Sequence, residues 1–362
     1  MSSYSNLDIF SYTFPVIKGI QSGREYYVTM VPMRLIPNLF LFNELEVPPQ
    51  LRSQRRLNKS RIPSMVKYLI ENSENYVFSS LTASIDRLVE FKPIPPEKLD
   101  SKIGYITIPA DTRIIINDGQ HRRAAIVEAL KKKLELGYET ISVVFFIDTG
   151  LERSQQMFSD LNRYAVKPSG SLNILYDYRD HFSRFVLEMI DQIPIFHDNV
   201  DFEKTSISNR SNKLFTLSSI YRATKTFVGT SDFQNEDMKH IVLEFWNEVT
   251  SYMRPWKDFL RGKPPYLLRR DTIGVHDLTL QALALVGSAC LKSYPEDWRQ
   301  IIAKLDTIDW SRSNANWEGR ALVAGRLRKS YTNVVLTANY LKGKLGLSLS
   351  EKELEYESSL VR

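Results

Sequence analysis

The chain has 362 residues, of which 43% are hydrophobic and 25% are charged, values that exclude a disordered chain or a collagen-like fibre. Lys and Arg number 48 against 42 Asp and Glu, so the formal net charge is +6. That excess permits a nucleic-acid partner without requiring one. The single cysteine, Cys290, excludes an intrachain disulfide and a Cys-rich zinc site.

The first half of the chain has the pattern of an α/β domain. Apolar and β-branched runs predict strands, and apolar residues at helical spacing predict helices. The expected strands cover 12–20, 25–36, 78–85, 103–108, 113–116 and 141–147, and the expected helices cover 63–71, 124–133 and 152–163. A turn at 109–111 predicts that the fourth and fifth of these strands pair as a hairpin.

Strand signals fade after a break at 167–171, where the sequence reads KPSGS. Helical patterns then cover 172–190, 217–227, 237–253, 277–291 and part of 320–347, and the charged end at 351–362 predicts a fraying terminus. We therefore expect an α/β domain over 1–168 and a mostly α-helical domain over 169–362. Because the sequence contains no signal-peptide pattern and no membrane-length apolar run, we expect a cytoplasmic protein with no membrane partner.

The most informative string is IIINDGQHRRAAI at 114–126. An apolar strand enters a turn that leads directly into a helix, whose first N–H groups have no intrahelical partners. Basic side chains at that end oppose the helix dipole, which is understandable if an anion lies between them. The string thus predicts a phosphate or nucleotide site formed by Asp118, Gly119, Gln120, His121, Arg122 and Arg123. The alternative is a helix capped by Asp118, with its arginines in solvent.

The DGQHR string at 118–122 resembles the signature of DGQHR-domain proteins, which belong to the ParB/sulfiredoxin-like superfamily. The segments at 54–85, 158–172 and 307–322 are similar to the DndB family, whose members regulate bacterial DNA phosphorothioation gene clusters. The resemblance implies a ParB/sulfiredoxin-like N-terminal domain of α/β (α+β) class, followed by a helical domain. It also implies phosphate binding by the turn. Sulfiredoxins carry a reactive cysteine in this turn; Gln120 stands before the His-Arg pair here, which excludes thiol-dependent chemistry.

Two segments concentrate positive charge without any acidic residue, namely 51–70 and 204–225. A phosphate-bearing partner would gain affinity there by releasing counterions, whereas the alternative is a solvated surface. The predicted DNA-contacting residues are Arg55, Arg56, Asn58, Lys59, Arg61, Arg210, Lys213, Arg222 and Lys225.

Two functions from different classes fit these features. The first is a DNA-binding repressor that acts as a homo-oligomer on double-stranded DNA, at the promoter of its own phosphorothioation gene cluster. The second is an NTP-dependent DNA-processing enzyme, a nucleotide hydrolase or nickase that uses ATP or GTP with Mg²⁺. In it Asp118 would hold the metal or polarise water, His121 would move a proton and Arg122 would stabilise phosphoryl charge. The sequence supplies binding features for both functions but does not show a complete catalytic set, so we favour regulation.

Overall fold

The computed structural model describes residues 10–40, 57–98, 100–148, 153, 156–157, 159–161, 168–229 and 235–360. The chain divides into two compact units, Met1–Val166 (unit 1) and Lys167–Arg362 (unit 2), each with its own hydrophobic core. Most of the helix predicted over 152–163, and both Arg55 and Arg56, lie outside the described residues. In the described part of the chain, no helix is long and apolar enough to cross a membrane.

Unit 1 is mixed α/β, and its described strands form one seven-stranded mixed sheet. The strands are β1 (Ser11–Gln21), β2 (Arg24–Pro32), β3 (Leu81–Ile85), β4 (Phe91–Pro93), β5 (Ile103–Pro109), β6 (Ile114–Asp118) and β7 (Thr140–Ile147). Their order is β4-β5-β1-β2-β7-β3-β6, and only the β3–β7 pair is parallel. The strand predicted over 25–36 ends early, because residues after Pro32 turn into a 3₁₀ turn and then helix α1 (Ile36–Leu39).

Unit 1 contains two longer helices, which lie next to each other. Helix α2 (Ile62–Glu71) has Pro63 in its first turn, as predicted, because proline has no N–H to leave unpaired there. Helix α3 (Gln120–Leu130) follows β6 and packs against α2. Both helices bury apolar residues, including Leu69 and Ile126, in the same core as β3 and β7.

The predicted hairpin of β5 and β6 is wrong. Strand β5 pairs with β1 and β4, whereas β6 pairs with β3 at the other edge of the sheet. Five strand spacings separate them, about 24 Å in a flat sheet at ~4.8 Å each. The four residues between the strands span at most about 17 Å. The sheet must therefore curl, and this curvature lets a short connection join strands that never pair.

Unit 2 is mostly helical. Its helices are α4 (Gly170–Tyr176), α5 (His181–Gln192), α6 (Leu217–Val228), α7 (Glu236–Tyr252), α8 (Arg254–Leu260), α9 (Pro265–Asp271), α10 (Asp277–Ser293), α11 (Trp298–Ala303), α12 (Tyr331–Leu345) and α13 (Glu351–Ser358). Short strand pairs add β8 (Val200–Asp201) with β9 (Phe215–Thr216), and β10 (Leu322–Val323) with β11 (Arg326–Leu327). The core is aromatic, and the indole N–H groups of Trp246 and Trp256 donate to Thr224 and to the Gly274 carbonyl.

The single helix predicted over 172–190 is two helices. The chain leaves α4 at Asp177 and restarts at Asp180, whose carboxylate accepts from the N–H groups of Phe182 and Ser183. The carboxylate of Asp180 competes for backbone donors and so starts a new helix, which the apolar periodicity alone does not reveal.

The terminus expected to fray is also helical as far as Ser358. Ser350 and Glu353 form a capping box at the start of α13, and Glu353 also accepts from Lys342, whose side chain is 7% exposed. The Asn339 amide donates to the Glu353 carbonyl at 3.0 Å. These partners lie on α12, so the local charge pattern could not show them.

Replacing Glu353 with Gln tests this anchoring. Burial opposes ionisation of Glu353, but hydrogen bonds from Lys342 and from the Ser350 N–H outweigh it and hold the pKa of Glu353 below its ordinary value. Glu353→Gln should lower the free energy of unfolding by about 1–3 kcal/mol at pH 7, because it leaves a buried ammonium without its anion.

The pH dependence follows from the direction of that shift. A lowered pKa contributes stability above the carboxyl group's ordinary value, and the contribution is lost as the pH falls through the folded-state value. The stability difference between Glu353→Gln and the wild-type chain, measured by chemical denaturation, should therefore shrink as the pH falls below about 4. Glu351→Gln on the same turn is the matched control, and equal loss in both variants would contradict the account.

Candidate phosphate-binding site

The strand that leads into the DGQHR turn ends at a β-bulge. Thr82 lies opposite Asp118, but the next residue, Ala83, lies opposite Ile116, so Asn117 is the extra residue on β6. Asn117 is fully buried, and its side-chain carbonyl accepts a hydrogen bond from Ser84 Oγ at 2.9 Å. This buried contact fixes the point at which β6 ends and the turn begins.

Gly119 forms the turn itself and is the residue before α3. Its φ of +100° lies in the left-handed region, where a side chain is disfavoured. A Cβ at this position would come within 2.5 Å of Leu81 Cδ2, and Leu81 is fully buried in the core. Both the backbone conformation and the space therefore require glycine.

Helix α3 begins directly after Gly119 with no acidic residue in its first turn. The Gly119 carbonyl accepts from the Arg123 N–H, which starts the helical hydrogen-bond ladder. The N–H groups that precede this bond have no partner within the helix, and the helix dipole is positive at this end. The start of α3 therefore has the electrostatics of an anion site, which a second observation must support.

The basic segment before α2 supplies that observation. The Asn58 backbone N–H donates to Nε2 of His121 at 3.1 Å, across 63 residues of sequence. Since Nε2 accepts this hydrogen bond, the imidazole is neutral in this arrangement. The contact joins the start of the segment that leads into α2 to the first turn of α3. His121 is thus a positioning residue that holds two helix beginnings side by side.

Asn58 also caps the short 3₁₀ turn Lys59–Arg61, which continues into α2. Its side-chain oxygen accepts from the backbone N–H of Ser60 at 3.1 Å. Lys59 and Arg61 are exposed, and neither forms an ion pair with any described residue. We call residues 58–61 together with 119–121 the paired helix termini. They combine two helix beginnings with two cations that pair with no carboxylate of the described residues.

The guanidinium groups of Arg122 and Arg123 donate hydrogen bonds to other residues of unit 1. Arg122 donates to Asp118 Oδ2 at 2.7 Å and to the Ser80 carbonyl at 2.9 Å. Arg123 donates to the Phe40 carbonyl at 2.8 Å, and burial lowers its pKa. The six residues predicted from the DGQHR string thus divide. Gly119, Gln120 and His121 lie at the start of α3, whereas Asp118 and the two arginines are held by contacts within unit 1.

A protein-family model described as DndB, DNA-sulfur modification-associated, matches residues 14–348. The chain belongs to the DndB family. The match covers nearly the whole chain and confirms the resemblance seen in the sequence. No curated protein and no solved structure matches the chain. Membership of the DndB family implies involvement in DNA sulfur modification.

The basic residues predicted in unit 2 of this DndB-family chain are not equivalent. Arg210 is exposed, and Lys225 is exposed with its Nζ 5.6 Å from the Tyr221 ring centre. Lys213 is half-buried and donates to the Asp198 carbonyl at 2.7 Å, and Arg222 pairs with Asp277 at 3.0 Å. Arg210 and Lys225 therefore have the more available charges of this group.

Metal-ligating and thiol groups were the other candidates for chemistry in this DndB-family protein. Within the residues that the structure describes, no cluster of His, Cys, Asp and Glu could hold a metal ion. Cys290 is buried in α10, as the apolar sequence around it predicts, and burial raises its pKa to about 12. A thiol with that pKa is unreactive at neutral pH.

Proposed function

We propose that this DndB-family protein is a DNA-binding transcriptional regulator, which represses a bacterial DNA phosphorothioation gene cluster. The observation that carries the proposal is the hydrogen bond between Asn58 and His121, because it brings the exposed cations Lys59 and Arg61 to the beginning of α3. Family membership supports the pathway, and the paired helix termini support the chemistry of the partner.

The partner that fits the paired helix termini carries phosphate. Backbone N–H groups at a helix beginning and nearby cations both stabilise a phosphate oxygen. Contacts of this kind position a protein on the DNA backbone without reading the base sequence. Sequence reading would then come from other exposed residues, of which Arg210 and Lys225 are the candidates in unit 2.

We assign unit 1 to the ParB/sulfiredoxin-like fold as part of this proposal. The support is the strand, glycine turn and helix at 114–130, placed at the edge of a mixed sheet. The proposed partner is double-stranded DNA at the promoter of the protein's own gene cluster. A homo-oligomer would suit the two-fold symmetric operators that such regulators commonly bind.

Electrophoretic mobility shifts with the promoter of the adjacent sulfur-modification genes test the proposal. We expect the promoter to bind at least tenfold more tightly than an unrelated duplex of equal length at the same salt concentration. A repressor must also lower transcription from that promoter in a reconstituted assay. Equal affinity for both duplexes would contradict the specific-repressor proposal.

The hydrolase alternative receives less support from the geometry. It needs Asp118 for Mg²⁺ and Arg122 for phosphoryl charge, but these two side chains hold each other in an ion pair of 2.7 Å. A nucleotide would have to break that pair and the bond from Arg122 to Ser80. Phosphate release from ATP or GTP that depends on Asp118 and Arg122 would reverse this preference.

A further inference from the structure

Unit 2 contains a second concentration of positive charge, inside a pocket of about 270 Å³. Its wall combines the hydroxyl groups of Thr205 and Ser206 with the cationic side chains of Arg269, Arg312 and Lys329. These residues are spread over more than a hundred positions of the sequence, so no motif in the sequence marks the pocket. It is smaller than the ~300–1,000 Å³ typical of drug-sized ligands and suits a compact one.

Arg269 is the structural member of this group. Its side chain is buried, and it donates to the backbone carbonyls of Asn209, Ser211 and Lys213. Burial lowers the pKa of Arg269. The guanidinium group therefore clamps the loop that forms one side of the pocket, and its positive charge remains in the pocket wall.

Arg312 differs from Arg269 because its guanidinium group donates no hydrogen bond to any described residue. Its side chain is partly buried, and its Nε, like that of Arg269, is enclosed with no hydrogen-bond partner. Among the described residues, no carboxylate forms an ion pair with it. Burial lowers the pKa of Arg312. Removing a charge from water without pairing it is unfavourable, so this arrangement favours an anion from outside.

His276 also lines the pocket, and the surrounding cations affect its pKa. Burial first, and then the charges of Arg312, Lys329 and Arg269, lower the pKa of His276 to about 4. The ring is therefore neutral at pH 7. Its Nε2 lies 3.2 Å from the Arg269 carbonyl, which can only accept, so Nε2 carries the proton and Nδ1 is an acceptor.

Negative charge in the pocket wall is limited to one residue among the described lining residues, Asp277. Its Oδ2 accepts from Arg222 at 3.0 Å, so a fourth cation offsets part of its charge, while its Oδ1 is enclosed without a hydrogen-bond partner. Arg312 and Lys329 form no ion pair with any described residue, so the cations of the lining outnumber its one carboxylate. Exposed Lys329 lies at the rim and is accessible from solvent.

We propose that this pocket binds a phosphate group, with Arg312 and Lys329 as its cations and the Thr205 and Ser206 hydroxyls as further donors. Guanidinium groups bind phosphate oxygens with two parallel hydrogen bonds, and hydroxyl groups adapt to the remaining oxygens. The phosphate is carried either by a small phosphate ester or by the backbone of a nucleic acid. This site is independent of the paired helix termini, so its existence does not rest on the proposed repressor function.

Isothermal titration of the full chain with inorganic phosphate, and separately with a nucleoside 5′-monophosphate, tests the site. We expect saturable binding of one phosphate group at this pocket, weakened at least tenfold in Arg312→Gln. Arg328→Gln is the matched control, because Arg328 is exposed beside Lys329 but does not line the pocket. Its binding should match the wild-type value. If Arg312→Gln does not fold, as judged by far-UV circular dichroism, Lys329→Gln replaces it with the same expectation.

The same variants distinguish the two sources of phosphate. A duplex whose affinity falls in parallel with that of phosphate in Arg312→Gln identifies the nucleic-acid backbone as the source. If the duplex binds the wild-type chain and Arg312→Gln equally, while binding of the monophosphate is weakened in Arg312→Gln, the source is a free phosphate ester. Absence of saturable phosphate binding by the wild-type chain, or equal binding by the folded pocket variant and wild type, overturns the proposal.

Discussion

Replacing Lys59 and Arg61 together with alanine is expected to weaken DNA binding about 10- to 100-fold at ~0.1 M salt, because two charge-assisted phosphate contacts are lost. The loss should be similar for promoter and unrelated duplex, since contacts to phosphate do not read bases. Fluorescence anisotropy with both duplexes measures it. The fold should survive, because both side chains are exposed and form no ion pair with any described residue.

A matched pair of cations controls this experiment. Lys67 and Lys131 lie near the same helices, but each is paired with a carboxylate, Glu71 and Glu128 respectively. The double variant Lys67→Ala with Lys131→Ala removes the same formal charge away from the paired helix termini. Its DNA affinity should stay within about threefold of the wild-type value, because exposed paired charges contribute little. Equal loss in both double variants would show a general charge effect and contradict the assigned site.

Gly119→Ala is expected to have the largest effect on stability, lowering the free energy of unfolding of unit 1 by about 2–4 kcal/mol. Two costs add here. The backbone at φ +100° disfavours a side chain, and the new Cβ lies 2.5 Å from Cδ2 of the fully buried Leu81. DNA binding should fall as well, because the turn holds the beginning of α3 in place.

Gly23→Ala separates these two costs. Gly23 also has a positive φ, of 73°, but a Cβ there would meet nothing within 4 Å. The control variant should therefore lose only about 1 kcal/mol, the cost of the backbone conformation alone. Urea denaturation of both variants gives the comparison. Equal destabilisation would show that contact with Leu81 does not constrain the turn.

The sequence predicts the strand, turn and helix of the site well, because each part has a local cause. The apolar run at 114–116 requires a buried strand, and Gly119 permits the turn. It also predicts Asn58, Lys59 and Arg61 as phosphate-contacting residues, from the concentration of positive charge over 51–70. The hydrogen bond from Asn58 to His121 that joins them to the turn is a long-range contact, which local patterns cannot show.

Where the structure differs from prediction, a distant partner is the usual reason. Arg122 and Arg123 look alike in sequence, yet the structure directs them to Ser80 with Asp118 and to Phe40. The hairpin prediction fails because β5 pairs with β1 and β4, whereas β6 pairs with β3. Sequence patterns do not predict the pocket around Arg312, because its lining is spread from residue 205 to residue 329. In each case local composition is uninformative, and tertiary packing decides.

The dependence of DNA affinity on salt concentration tests the central claim most directly. Each phosphate contact that is removed should reduce the slope of log affinity against log salt concentration by about 0.9. If the paired helix termini bind the DNA backbone, the slope for Lys59→Ala with Arg61→Ala will be about 2 units shallower than for the wild-type protein. An unchanged slope would contradict the claim that these residues contact phosphate.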